Sequence, residues 1–414
     1  MSKVIAIIGT LDTKGDQIQY LKKLIEAIGH QVCVIDVGIL GDVPIEPAIS
    51  RHQVAEAAGT SIQELIDLRH EWMSMERMTE GASKIVKELH SKNRLDGALA
   101  VGGSIGTALA LSVMKALPIG VPKLIVSTVA YSPGITPDMV SGDLMMLPWV
   151  AGLWGFNKMS KRVLETAAGA ISGAVELYDK EKVNTKKVVA VSSLGGTVCQ
   201  YMNQLKPALE ERGYEVAVFH VTGMSGRLLE QAITEGSISA VLDLSVGVEI
   251  LNEVCNGVAS AGEHRLEAAA KCGVPQIVSP GAIEAFHWGE DKPFPAKYKE
   301  RPQHRHNPIL NVILSSKRER AAVGRFMAEK LNMAAGPTIV VIPMRGFEPP
   351  MRPASLDAFW QGILTPHEGL KAFRRAFMRN LKNPKVKVVT LDGGFNDPPY
   401  VTTILSLFDE MMSV

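Results

Sequence analysis

The sequence predicts an α/β protein of two subdomains, each with a mostly parallel sheet flanked by helices. The chain opens with an apolar run at 3–9, a helix-like segment at 12–29 and a second apolar run at 31–38. A strand–helix–strand unit of this kind builds a parallel pair of strands. The pattern returns at 187–223, where "KVVAVSS" and "GYEVAVFHVTG" align with "KVIAIIG" and "GHQVCVIDVG". The 414 residues suffice for two or three domains.

The apolar residues recur with the period of the element that each segment predicts. Ile18, Leu21 and Ile25 share one face of the first helix, and Gly29 follows as a C-cap. The first half continues with predicted strands at 96–103 and 122–128 and predicted helices at 71–92, 105–116 and 158–178. In the second half we predict further strands at 238–245, 274–281, 336–343 and 386–394, and helices at 199–212, 225–235, 316–332, 368–381 and 400–412.

A charged, polar segment at 178–187 lies between the two halves and predicts the boundary between them. We therefore place the first subdomain at 1–182 and the second at 183–414. Two long stretches, 130–157 and 286–309, show neither period and are expected to be irregular loops.

The composition excludes several classes of protein. Lys and Arg number 44 against 43 Asp and Glu, so the net charge of +1 provides no long-range attraction to nucleic acid or to a membrane surface. No run approaches the ~18 apolar residues of a membrane span. The four cysteines are scattered, which predicts a reduced, cytoplasmic protein; Cys199 is either a buried bystander or a reactive thiol. The aromatic stretch 147–156 predicts either a subunit contact in a homo-oligomer or a cleft wall.

The loop after the first strand, "GTLDTKGD" at 9–16, can receive an anion. Asp12 or Thr13 is expected to cap the following helix, whose N-terminus attracts negative charge. Lys14 stands in the first turn, where its charge opposes the helix dipole. A bound phosphate would explain that placement, and a solvated lysine on an ordinary turn is the equal alternative.

The turn "GGSIGT" at 102–107 follows the predicted strand at 96–103. Its glycines allow close approach of backbone N–H groups to a ligand, although the turn matches neither a P-loop nor the dinucleotide fingerprint. It is either a phosphate cradle or a plain strand-to-helix corner. The candidate residues here are Gly102, Gly103, Ser104, Ile105, Gly106 and Thr107. Thr128 follows the next strand, and Asp36 ends the second strand where an acid often meets a ribose hydroxyl.

The second half offers weaker candidates. Arg227 enters a helix after a glycine turn and either binds a carboxylate or phosphate or pairs with Glu230 on the same helix face. Glu284 and three histidines, His287, His304 and His306, could together form a metal site. Their spacing matches no specific metal-binding motif, so we expect no metal to be bound there.

Together these motifs resemble the UPF0261 family, also called Tm-1-like proteins. "GTLDTKGD", "VGGSIGT", "GFNKMSKRVLETAAGAISG", "HNP" and "FND" occur in the order that the family shows. The resemblance implies two Rossmann-like subdomains. It also implies an ATP site in the first, because the family's plant member binds ATP there. The plant member also inhibits a viral helicase, a role that nothing in this sequence suggests. The matching residues are Asp12, Thr13, Lys14, Gly103, Ser104, Ile105 and Gly106.

The second subdomain departs from the family pattern at 193–198, 244–250 and 309–316. The resemblance therefore implies a preserved nucleotide site beside an altered substrate pocket. We expect an enzyme that uses ATP, with Mg²⁺, for phosphoryl or acyl transfer to a small metabolite in an interdomain cleft. Arg227, His306 and Asn307 are the candidate contacts of that metabolite. The alternatives are a nucleotide-binding sensor without turnover and a metal-dependent lyase or hydrolase.

Overall fold

A computed structural model describes residues 2–149, 151–178, 186–194, 199–290, 292–346 and 366–413. The chain divides into two compact units, Met1–Val183 and Asn184–Val414. In the described part of the chain, no helix combines the length and the apolar character that crossing a bilayer requires.

Unit 1 contains a five-stranded parallel sheet with helices on both faces. Its strands are β1 (Val4–Gly9), β2 (Gln31–Asp36), β3 (Gly97–Gly102), β4 (Lys123–Ser127) and β5 (Met145–Pro148). They lie in the order β2-β1-β3-β4-β5. The helices are α1 (Leu11–Ile28), α2 (Arg51–Ala57), α3 (Ile62–Asp67), α4 (Glu71–Ser91), α5 (Ser104–Lys115) and α6 (Lys158–Leu177). Every residue of β3 is buried, because apolar cores cover both faces of the sheet.

Unit 2 contains a six-stranded parallel sheet and a small antiparallel sheet. Its strands are β6 (Val188–Ser193), β7 (Glu215–His220), β8 (Ala240–Asp243), β9 (Gln276–Val278), β10 (Ala285–Gly289), β11 (Gln303–Asn307), β12 (Leu310–Leu314), β13 (Thr338–Pro343) and β14 (Val386–Leu391). Its helices are α7 (Met202–Glu211), α8 (Met224–Thr234), α9 (Gly247–Cys255), α10 (Glu267–Cys272), α11 (Lys317–Leu331), α12 (Pro366–Asn380) and α13 (Pro398–Met412). The large sheet has the order β14-β13-β9-β8-β6-β7.

The two parallel sheets share one plan. In each, the first strand lies between the second and the third, and later strands extend the sheet beyond the third. This confirms the predicted α/β class with two mostly parallel sheets. Such an order reverses direction between the first and third strands, where the connections diverge and leave a crevice at the carboxyl edge. The crevice lies between β1 and β3 in unit 1 and between β6 and β8 in unit 2.

The prediction that 286–309 is an irregular loop is wrong. The segment contributes β10 and β11 to an antiparallel sheet in the order β10-β12-β11. The sequence of β11, Gln-His-Arg-His-Asn, is too polar to show a strand pattern, and its pairing with the apolar β12 creates the strand. The other predicted loop, 130–157, includes the short edge strand β5.

A buried ionic cluster lies in unit 2 at the carboxyl end of the interior strand β8. Arg265 is 1% exposed and donates from Nε to Glu249 Oε2 at 2.8 Å and from Nη2 to Asp243 Oδ1 at 2.9 Å. It also donates from Nη1 to Glu230 Oε1 at 2.9 Å. Because these carboxylates surround one guanidinium, Arg265 is the positive charge that they share.

We expect Arg265→Met to lower the free energy of unfolding by about 3–5 kcal/mol, since it leaves buried carboxylates unpaired. Urea denaturation followed by circular dichroism measures the loss. The control is Arg212→Met, which removes the exposed Arg212–Asp409 pair and should cost less than about 1 kcal/mol. Equal losses in the two variants would show that the cluster has no special role in stability.

Candidate functional site

A cavity of about 620 Å³ lies at the carboxyl edge of unit 1, at the crevice between β1 and β3. It is lined by residues from four segments: Thr10, Asp12, Thr13 and Lys14; Gly38 to Gly41; Leu65, Ile66, Arg69, His70, Glu71, Ser74 and Met75; and Gly102 to Gly106. The structure therefore brings the two candidate phosphate loops of the sequence to one cavity. Parallel strands whose carboxyl ends meet at one edge are the physical reason.

The N-terminus of α1 opens onto this cavity. The prediction that Asp12 or Thr13 caps α1 is wrong, because Thr10 is the N-cap residue and its side chain makes no capping bond. The Thr10 and Thr13 hydroxyls instead bond to each other at 2.7 Å. Lys14 donates to the Thr13 carbonyl at 3.2 Å, and no described acidic side chain pairs with it. The N–H groups of Thr13 and Lys14 donate to the Thr10 carbonyl, and the Leu11 N–H donates to Asp36. The first turn of α1 therefore contributes mainly its dipole and one cation without a carboxylate partner.

The turn between β3 and α5 presents a second open helix N-terminus. Gly103 is the N-cap residue, and no side chain caps α5. A Cβ on Gly102 would lie 2.5 Å from the Gly106 carbonyl carbon, so only glycine fits there. A Cβ on Gly103 would find nothing closer than Thr128 Oγ1 at 3.9 Å. Gly102 therefore fixes the shape of the turn, whereas the missing side chain of Gly103 leaves space beside the cavity.

Two predicted hydroxyl residues stabilise this turn and lie outside the lining of the cavity. Thr107 is buried, and its Oγ1 bonds to Ser127 Oγ at 2.8 Å. The backbone N–H of Thr128 donates to the Gly102 carbonyl at 3.2 Å. Both residues therefore act on the backbone of the glycine turn.

Asp36, which the sequence suggested as a ribose contact, is surrounded by internal groups of the protein. It is fully buried, and its Oδ1 accepts bonds from the N–H groups of Leu11 at 3.1 Å and Gly38 at 2.9 Å. Its Oδ2 lies 3.2 Å from Arg51 Nε. Burial raises the pKa of Asp36, and the backbone bonds and Arg51 oppose that rise. Because internal groups surround this carboxylate, we leave it out of the candidate ligand contacts.

The sequence did not indicate the third wall of the cavity, which comes from the start of α4. His70 is the N-cap residue of α4, and its Nδ1 accepts the Met73 N–H at 3.3 Å. Arg69 precedes it with a φ of 47°, and no described acidic side chain pairs with its guanidinium. No predicted strand precedes this segment, so reasoning from strand ends could not find it. A histidine ahead of an apolar helical run was the available signal.

In unit 2 the glycine turn before α8 is already occupied by an internal anion. Glu249 Oε1 accepts the N–H groups of Gly223 at 2.8 Å and Gly226 at 3.1 Å. The predicted alternative for Arg227, a salt bridge to Glu230, is wrong, because Glu230 bonds to Arg265. Arg227 Nη2 donates to the Ser260 carbonyl at 3.4 Å, and its buried Nε has no hydrogen-bond partner.

The candidate histidines lie on the small antiparallel sheet. Val312 of β12 pairs with His287 of β10 on one side and with His304 of β11 on the other. His306 lies where the pairing of β11 with β12 becomes irregular. The Asn307 side chain accepts the Ile309 N–H at 2.9 Å. Across the described ranges, no group of three or more His, Cys, Asp or Glu residues is arranged to bind a metal ion. The metal-dependent alternative therefore has no geometric support in the described residues.

The remaining thiol hypothesis concerns Cys199. It is fully buried, its Sγ accepts the Leu194 N–H at 3.2 Å, and Ser245 Oγ lies 3.4 Å away. This surrounding favours the buried bystander over the reactive thiol. The loop at 195–198 lies outside the described residues.

Comparison with known proteins identifies the family. The N-terminal domain of uncharacterised protein family UPF0261 matches residues 3–180, and its C-terminal domain matches residues 186–412. A UPF0261 protein of Brucella suis is 39% identical over 409 residues, covering 99% of this chain and 96% of that protein. One from Clostridium tetani is 35% identical over 412 residues, covering 100% of both. The ToMV resistance protein Tm-1 of Solanum lycopersicum is 28% identical over 98% of this chain and 55% of its own length. The chain belongs to the UPF0261 family.

The surroundings of His287 predict a pH dependence of stability. Burial lowers its pKa to about 4, with smaller contributions from His306 and His220. The unfolded chain binds this proton near pH 6.5, so stability should fall as the pH decreases from about 6.5 to about 4. We expect His287→Gln to flatten that decrease, measured by urea midpoints at pH 7 and pH 4.5. His264→Gln, at a histidine that is 78% exposed, should not flatten it. An unchanged slope in His287→Gln would contradict the assignment.

Proposed function

From membership in the UPF0261 family, and from the cavity in unit 1, we propose that this protein binds ATP or a related nucleotide through its phosphates. One observation carries the proposal: the N-termini of two helices, α1 and α5, whose N-cap residues make no side-chain capping bond, line a single cavity at the crevice between β1 and β3. A crevice at that position of a parallel sheet is where ligands of such folds bind.

The electrostatics of the cavity favour a phosphate group. The N-terminus of α5 presents its first N–H groups and the positive end of its dipole. The N-terminus of α1 contributes mainly its dipole, because its Leu11 N–H bonds to Asp36 and its Thr13 and Lys14 N–H groups bond to the Thr10 carbonyl. The first turn of α5 contains no acidic residue, so no internal carboxylate competes for its N–H groups. The lining contains two cations, Lys14 and Arg69, and two acids, Asp12 and Glu71, and neither cation forms an ion pair with a described acid. A polyphosphate would satisfy both the helix termini and these side chains.

Asp12 supplies a reason to expect Mg²⁺ with the nucleotide. Its Oδ2 accepts the Leu40 N–H at 3.2 Å, whereas its Oδ1 is buried and has no hydrogen-bond partner. A carboxylate oxygen beside a phosphate site is a ligand that Mg²⁺ prefers, and the cation would remove the repulsion between carboxylate and phosphate. Asp12 would hold the ion, and the ion would neutralise charge on the phosphates.

We further propose that the protein is a cytoplasmic enzyme that uses the nucleotide for phosphoryl or acyl transfer to a small molecule. The alternative is a sensor that binds the nucleotide without turnover. A time course of ATP with and without pools of sugar acids and keto acids separates the two. Consumption of ATP that depends on an added acid supports the enzyme, and binding without consumption supports the sensor.

Titration calorimetry with ATP and Mg²⁺ tests the binding itself. We expect Lys14→Met to weaken binding by about tenfold or more, since a charge-assisted bond to phosphate is lost. The matched control is Lys22→Met on the same helix, whose side chain is paired with Glu26 and lies outside the cavity. Absence of binding by the unaltered protein at millimolar ATP would refute the proposal, and equal affinities of the two variants would exclude a role for Lys14.

The two adjacent glycines should respond differently to alanine. A Cβ on Gly102 meets backbone at 2.5 Å, so Gly102→Ala should lower the melting temperature of unit 1. Gly103 has φ −76° and open space, so Gly103→Ala should fold normally and lose affinity for ATP. Thermal unfolding with and without ATP measures both effects. A Gly103→Ala protein that ATP stabilises as strongly as the parent would contradict the proposed cradle.

A further inference from the structure

The loop at residues 38–41 forms a wall of the nucleotide cavity and also borders a second cavity. Ile39, Leu40 and Gly41 line the 620 Å³ cavity, and the same residues line a neighbouring cavity of about 490 Å³. The loop is therefore a partition between two spaces. Its position decides the shape of the proposed ligand site.

Arg51, the first residue of α2, contacts this loop from the side of the second cavity. Its Nη1 donates to the Leu40 carbonyl at 2.8 Å, and its Nη2 donates to the Gly41 carbonyl at 3.2 Å. The side chain is nearly buried, and the Ser50–Gln53 capping box fixes the start of its helix. A guanidinium has a planar fork of donors that can reach two successive carbonyls, which an ammonium group cannot reproduce.

The third nitrogen of Arg51 links the loop, through Asp36, to the N-terminus of α1. Its Nε lies 3.2 Å from Oδ2 of the buried Asp36, and Oδ1 of that carboxylate accepts the N–H groups of Leu11 and Gly38. Leu11 is the first residue of α1. One buried ion pair thus connects the N-terminus of α1 to both ends of the loop.

We infer that Arg51 is a positioning residue, which through the Leu40 and Gly41 carbonyls fixes loop 38–41 as a wall of the ligand cavity. Asp36 orients Arg51 and contacts the start of α1, so the loop and the phosphate-facing helix keep one relative position. Neither side chain needs to touch the ligand. The part of this inference that concerns ligand affinity rests on the proposed function, whereas the part that concerns the loop does not.

Hydrogen exchange of the free protein tests the loop directly. Arg51→Lys keeps a positive charge beside Asp36 but loses the fork, so we expect at least about tenfold faster exchange at the Leu40 amide, with little change elsewhere in unit 1. Arg51→Met should accelerate exchange at Leu40 further. The control Arg77→Lys changes an exposed pair with Glu80 and should leave the loop as in the parent. Unchanged exchange at Leu40, or an increase spread evenly over unit 1, would overturn the inference.

Calorimetry then separates this inference from the proposed function. If the parent binds ATP, Arg51→Lys should weaken binding by about tenfold while Arg77→Lys does not. Faster exchange with unaltered ATP affinity would show that the loop is not a wall of the ligand site and would overturn the inference, leaving nucleotide binding intact. If the parent binds no ATP, the proposed function fails, and the exchange experiment still decides whether Arg51 fixes the loop.

Discussion

The reversal of strand order between the first and third strands is the constraint on which the rest of unit 1 depends. Because β1 lies between β2 and β3, the connections after β1 and β3 leave the sheet toward opposite faces. Their first turns cannot close over each other, and the space between them is the cavity. A sheet whose strands followed one another in simple order would cover that edge with successive helices. The helix termini are candidate binding groups because topology leaves this edge of the sheet open.

Unit 2 repeats this topology and fills the equivalent crevice with its own side chains. The helix after its third strand, α9, contains an acidic residue, Glu249, in the first turn, where α5 of unit 1 contains none. That carboxylate bonds to the turn before α8 and to Arg265. Ser245, just before α9, bonds to Tyr201 at 2.9 Å. In the described part of this crevice, the polar groups are therefore bonded to side chains of unit 2 itself.

The parts of the fold that could be predicted are those set by local periodicity. Most strands of the parallel sheets are apolar runs, and the long helices show their apolar face over several turns, so both are visible in the sequence. The exception is the edge strand β5, whose four residues lie in a predicted loop. Helices α2, α3 and α10 span only six or seven residues, too few for a period to appear. Strand β11 is formed by its neighbour β12. Its own composition gives no sign of it.

In the candidate site, too, some residues could be found from local sequence patterns and others could not. The glycine turn and the Lys14 loop could be found because they directly follow predictable strands. Arg69 and His70 reach the cavity through the packing of α4 against the sheet, which no local pattern encodes. Asp36 illustrates the opposite error: its position at a strand end suggested a ligand, while its actual partners, Leu11, Gly38 and Arg51, lie in three different segments.

A strand-end carboxylate is thus ambiguous until its hydrogen bonds are known. Asp36 is buried and surrounded by donors, so exposing it to a ligand would require breaking bonds that also hold α1 and the loop. Asp12 differs from Asp36 in its pairing. One buried oxygen of each acid lacks a hydrogen-bond donor, but Asp36 Oδ2 lies 3.2 Å from Arg51 Nε, whereas Asp12 has no ion pair among the described residues. Burying a charge without a partner costs more free energy of folding than most surface interactions contribute. Between two acids at the same edge, the one without an ion pair is the better candidate for a bound cation, and the one already paired with an internal arginine is the better candidate for a structural role.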